Sequence, residues 1–228
     1  MTRDEYSDAL DAVLRRGYGD GWAYIREYID GIWQKSQDIA GHCWNCWGFG
    51  SIDMRFSFDG RNYSVPAGVA HYLEHKMFDL PEGNAMEIYA KYGGSNNAFT
   101  NYTMTAYYVE CTDCFEENLQ TLLRMVMTPY FTDESVEKER GIIEQEIRMY
   151  EDSAGSACFE NLFAAMYGSH PARIPICGTV ESIAEITPAM LYDSCKAFYA
   201  PGNMVLAAAG NTTMEQILAA CERHGLME

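Results

Sequence analysis

One helical turn limits this chain more than anything else in it. The stretch "GVAHYLEHKMF", residues 68–78, brings His71, Glu74 and His75 close together. At about 100° per residue, His71, Glu74, His75, Gly68 and Phe78 share one side of a helix. Val69, Ala70, Leu73 and Met77 take the other side, where they can bury against a sheet. Gly68 keeps the polar side open. Histidines at i and i+4 stand one turn apart, which lets both imidazoles reach one tetrahedral Zn²⁺ at about 2.0–2.1 Å. Glu74 is poorly placed to be a third ligand from the same turn and better placed to hold a metal-bound water. The plainer reading is a surface helix with two solvated histidines, and a third ligand is needed to decide.

"SVEKERGIIEQEIRMY", residues 135–150, supplies a candidate. On the same helical plot Val136, Ile142, Ile143, Ile147 and Tyr150 form an apolar face. Glu137, Lys138, Glu144, Gln145 and Arg148 form a wet one. Glu139 and Glu146, nearly two turns apart, point into the apolar stripe. An ionised carboxylate left there without a partner costs several kcal/mol, so something cationic must face the pair. An arginine such as Arg173 is the ordinary solution, whereas a metal accounts for both helices at once. In that case one carboxylate completes the ligand set and the other orients the ligands.

Around these helices the text mixes strands and helices. "GHCWNCWGFGSIDMRFSFDGRNYSV" reads as two short strands joined at Asp59-Gly60, a strong hairpin signal. Pro66 suits the first turn of a helix running through Phe78, and a second helix follows near 82–92. "NNAFTNYTMTAYYVEC" reads as one long strand. Helices are expected over "FEENLQTLLRMVM", 134–151 (capped by Thr132 or Asp133), 156–167, 187–199 and from about Thr213, with a strand at "NMVLAAAG". The pattern predicts an α+β fold, a mainly antiparallel sheet with helices packed on one face. Residues 1–40 read as a helical segment apart, and 41–228 as the main domain.

The net charge of −17, with only 16 Lys plus Arg, excludes nucleic acid as a natural partner and favours a cationic peptide or a basic protein surface. The simpler account is that the acids keep the chain soluble. No apolar run suits a membrane span and the first residues lack an apolar signal core, so a cytoplasmic location without membrane attachment is the default. Cys43/Cys46 and Cys111/Cys114 form two CxxC pairs, the pieces of a four-cysteine zinc site. They are far apart in sequence and lie in or beside strand-like text, where residues three apart point to opposite faces; reduced, mostly buried thiols are the better expectation.

Six stretches in order, "GSIDMRF", "GVAHYLEHKMF", "GGSNNAFTNYTMTAYYV", "TPYFTDESVEKERGIIEQEIRMYED", "HPARIPICGTVESI" and "FYAPGNMVLAAAGN", resemble the insulinase–pitrilysin class of zinc metallopeptidases, the inverzincins with H-x-x-E-H. The likeness is greatest to the small bacterial, processing-peptidase-like members and covers roughly residues 49–215. It implies one zinc per chain held by His71, His75 and Glu146, with Glu74 as general base and Glu139 as the supporting acid. It also implies that Asn97, Ala98 and Phe99 lie on an edge strand that takes substrate backbone by β-pairing. Without the family, those three read as a plain sheet edge with a buried Phe. The implied activity is endopeptidase cleavage of peptides or unfolded segments. The alternative is a non-catalytic half that binds peptide or a partner subunit. The chain departs from the family before about residue 41, and it holds one half of a unit whose relatives carry a second, similar domain or subunit.

Overall fold

The computed structural model describes residues 41–224, so the helical reading of residues 1–40 lies outside the described residues. Strand β1 (Gly41–Trp47) leads to a hairpin of β2 (Arg55–Phe58) and β3 (Arg61–Ser64). Its two turn residues, Asp59 at φ 48° and Gly60 at φ 70°, are both left-handed, as a two-residue Asp-Gly turn requires. Helix α1 (Val69–Lys76) follows, then the two-residue strands β4 (Asp79–Leu80) and β5 (Gly83–Asn84), then α2 (Ala85–Lys91). Strands β6 (Ser95–Thr100) and β7 (Thr105–Cys111) precede α3 (Phe115–Met127), α4 (Asp133–Asp152) and α5 (Ala154–Met166). The short α6 (Val180–Ala184), α7 (Pro188–Phe198), strand β8 (Met204–Gly210) and α8 (Met214–Arg223) close the described part.

The main sheet has strand order β6-β7-β1-β8, and every pairing is antiparallel. Tyr107 and Val109 of β7 turn into a core with Leu73 and Met77 of α1 and Leu119, Leu122 and Val126 of α3. The expected α+β layer is therefore the observed one, with β6 at the sheet edge.

Three boundaries differ from the sequence reading. The single long strand over 96–111 is a hairpin, because the Asn101 side chain accepts the N–H groups of Thr103 (2.8 Å) and Met104 (2.9 Å) and folds the chain back. The helix near 82–92 starts later, at Ala85, because residues 79–84 form the β4–β5 ladder. Helix α1 starts after Gly68, whose φ of 93° breaks the run from Pro66.

Helix α4 sits where the site needs it for local reasons. Thr132 Oγ1 accepts the Ser135 N–H and Ser135 Oγ accepts the Thr132 N–H, a reciprocal cap that fixes the first turn. Val136, Ile143 and Ile147 bury one stripe, while Ile142, expected inside, is 47% exposed because it lies about 100° round from Ile143. Two polar links tie α4 to α1. The Tyr72 hydroxyl donates to the Val136 carbonyl, and the buried Lys76 ammonium donates to Ser135 O (3.2 Å) while pairing with Asp79.

Asp79→Ala strands the Lys76 ammonium in the core. It should lower stability by roughly 3 kcal/mol, the low end for losing one partner of a buried pair. Lys76→Met should cost far less, and urea unfolding of the two variants checks the contrast.

Candidate metal centre

Helices α1 and α4 run antiparallel, and their contacts climb in step. Lys76 meets Ser135, His75 meets Glu139, and His71 meets Glu146. His75 bridges the two acids: its Nδ1 lies 2.9 Å from Glu139 Oε1 and its Nε2 lies 3.3 Å from Glu146 Oε2. His71 Nε2 lies 3.7 Å from Glu146 Oε1, and the two imidazole centroids are 4.7 Å apart. The side chains facing the acids of α4 are thus imidazoles, and Arg173, in a 3₁₀ turn at Pro171–Arg173, pairs with neither.

Among the described residues, His71, His75 and Glu146 form the group whose donor atoms all lie within 4.8 Å of one another. Neighbouring donors on a tetrahedral ion with bonds of about 2.0–2.3 Å are spaced roughly 3.3–3.8 Å apart, and the imidazole–Glu146 separations of 3.7 and 3.3 Å fall in that range. Glu139, on the far nitrogen of His75, is placed to fix that ring's tautomer and direction. His71 Nδ1 is buried without a hydrogen-bond partner, so the ring's polar contacts run through Nε2 towards this group.

Glu74 belongs to the same turn but has a different neighbour. Its Oε2 accepts a 2.7 Å hydrogen bond from Thr100 Oγ1 at the end of β6. Glu74, His75, Asn97 and Ala98 line two cavities that meet there, of about 350 and 650 Å³. The larger adds Phe99, Tyr102, Tyr150 and Phe159. Asn97 is exposed, Ala98 and Phe99 are half-buried, and Asn97 Oδ1 accepts the Ala98 N–H at 2.9 Å. Phe99 is therefore less buried than a plain core residue. Sequence reasoning missed Thr100, Tyr102, Tyr150 and Phe159. For Thr100 a signal existed, since a hydroxyl next to "NNAF" at a strand end is within reach of a carboxylate.

In the β1–β7 register Cys46 stands opposite Ala106, five residues along β7 from Cys111, and Cys43 stands opposite Val109, two residues from it. Cys111 is buried and Cys114 is exposed.

This arrangement has known counterparts. The model of the insulinase peptidase family, M16, matches residues 62–180. The chain belongs to that family. It is 46% identical over 173 residues, 75% of its own length, to the uncharacterized zinc protease YmfH of Bacillus subtilis. An M16-like peptidase of Alicyclobacillus acidocaldarius has a solved structure with a TM-score of 0.78 and 40% identity, covering 82% of this chain and 44% of that one. An M16 domain of Pseudomonas fluorescens titled as inactive shares the fold at 20% identity, with a TM-score of 0.69 and coverage of 81% and 44%. This chain spans about two fifths of the length of the curated relatives it matches.

The M16 chain holds its acids and imidazoles in a strongly coupled state. Burial alone would push the His75 imidazolium down, but hydrogen bonds to Glu139 and Glu146 and the charges of Glu139 and Glu74 outweigh it and lift His75 to about 9. Hydrogen bonds from His71 and His75 hold the Glu146 carboxyl well below the usual range, against burial. A metal needs neutral imidazole nitrogens, so His75 must lose a proton when one binds at pH 7. Calorimetric titration of the metal-free chain with zinc, in buffers of different ionisation heat, should show at least about one proton released per ion at pH 7. Release from His75 should fade above pH 9, and zinc should bind more tightly as pH rises towards that point.

Proposed function

We propose that the chain is a catalytic zinc-peptidase unit that hydrolyses peptide bonds in peptides or unfolded segments. The observation that carries this reading is the shared geometry of two jobs on one helix. His71 and His75 face Glu146, while Glu74 from the same turn faces the cavities beside β6.

In this reading His71, His75 and Glu146 hold one zinc ion and Glu139 steadies His75 through Nδ1. Bound zinc supplies Lewis acidity, which polarises a carbonyl and makes a water acidic near neutral pH. Glu74 takes the proton of the attacking water and returns it to the leaving amine, so one carboxylate serves as base and then acid. The Thr100 hydroxyl holds one oxygen of Glu74 and leaves the other for the water. Substrate backbone pairs with the edge of β6 at Asn97, Ala98 and Phe99, and it displaces the Asn97 carboxamide from the Ala98 N–H. Residues before about 41 stand outside this unit, and 41–228 form one half of a two-half enzyme.

A second half, homologous to this one, completes the substrate chamber. Two facts support that part. The chain matches about 40% of its relatives' length, and helix α5 along the larger cavity exposes Phe159 (49%), Leu162 (52%) and Met166 (63%). The opposing reading is a non-catalytic half. It is favoured by the chain's short span, but it gives no reason to keep Glu74 beside a complete ligand set.

Glu74→Gln separates the two. It should keep about one zinc per chain and lose peptidase activity by roughly 10²- to 10⁴-fold, measured on an unfolded peptide with and without a homologous second half. A zinc-loaded wild type that cleaves under neither condition returns the chain to the binding reading.

A further inference from the structure

We infer that Cys177 is a fourth protein donor to the metal of His71, His75 and Glu146, with its thiolate filling the position that a three-donor site leaves for water. The inference rests on the ligand reading above and concerns the regulation of that site.

Cys177 Sγ lies 3.8 Å from His71 Nε2, the same nitrogen that stands 3.7 Å from Glu146 Oε1. That spacing falls at the long edge of donor–donor distances around one tetrahedral ion. The sulfur is outside the tight group of three donors, so ligation requires the side chain to move towards the ion. It lines the larger cavity with Glu74 and Glu146, and it is not in a disulfide.

Two further observations make this more than a cysteine that happens to be close. The first is how firmly the backbone is placed. A Cβ on Gly68 would lie 2.5 Å from the Cys177 carbonyl oxygen, and a Cβ on Gly178 would lie 2.5 Å from the Ala67 carbonyl oxygen. Both glycines have positive φ, 93° and 75°, so the segment carrying Cys177 is seated against the entry to the ligand helix. Ser182 Oγ fastens the same point by donating to Ala67 O at 2.9 Å. The second observation is His71 itself. The residue is only 7% exposed and its Nδ1 has no partner, which leaves its polar contacts to Nε2, where the thiol and Glu146 stand.

On ligation a sulfur–metal bond forms, the thiol proton passes to solvent, and no electron is transferred. A centre closed in this way holds its ion more tightly and admits water only when the thiol withdraws.

Cobalt(II) in place of zinc reads this directly. The cobalt-loaded chain should show a near-ultraviolet thiolate-to-cobalt absorption. Cys177→Ala and the size-matched Cys177→Ser should both lose that band and bind cobalt at least roughly tenfold more weakly. His71→Ala and Glu146→Gln, run alongside, should lose the cobalt itself. Absence of the band from the wild type, or its survival in both Cys177 variants while the ligand variants lose cobalt, overturns the role of Cys177 alone. Retention of cobalt by the ligand variants overturns the ligand set, and this inference with it.

Discussion

Glu139 and Glu146 project from α4 towards α1 instead of towards water, and much of the structure is arranged to make that tolerable. A carboxylate in such a place loses several kcal/mol of hydration unless a cation stands opposite. Here the opposing helix supplies imidazoles at 2.9, 3.3 and 3.7 Å. Because the two helices run antiparallel, the seven-residue gap on α4 and the four-residue gap on α1 converge on one point. Without a metal, the cluster balances its charge by keeping His75 protonated. A divalent ion would do the same work with stronger and more directional bonds, so on binding one the site would trade a proton for a metal.

Glu74 adds its charge to that balance, but its hydrogen bond goes elsewhere. It shares a helical turn with both histidines, yet its named partner is the neutral hydroxyl of Thr100. A hydrogen bond to a charged group contributes about 1.5–3 kcal/mol, enough to orient the side chain at the cavity wall. The link also couples α1 to β6: anything that shifts β6 shifts Glu74 with it.

The parts of this arrangement written as local periodicity were legible in advance. The faces of α1, the inward turn of Glu139 and Glu146, the Asp59-Gly60 hairpin and the cap at Thr132 each follow from neighbours within a few residues. The choice between metal and arginine opposite Glu146 depended on where α1 lands, which is tertiary; periodicity left it open, and the family resemblance pointed to the histidines that the fold now places there. What stayed hidden was non-local or masked by propensity. Asn101 turned a run of Thr and Tyr into a hairpin through its own side chain, against strong β-preference on both sides. Cys177 is more than a hundred residues from His71 and reaches it only because Gly68 and Gly178 let two backbones touch.

The residues that hold α1 in place are not the ones that face the metal. Leu73 and Met77 are almost fully buried in the core, and Tyr72 and Lys76 bond to the first turn of α4. The fold therefore sets the donor geometry before any ion arrives, unlike small zinc domains in which binding energy is the folding energy. Preorganisation of this kind bears on the proposed chemistry. Little of the metal's binding energy goes into ordering the chain, so the three donors can accept an ion while Glu74 and the edge of β6 keep their positions.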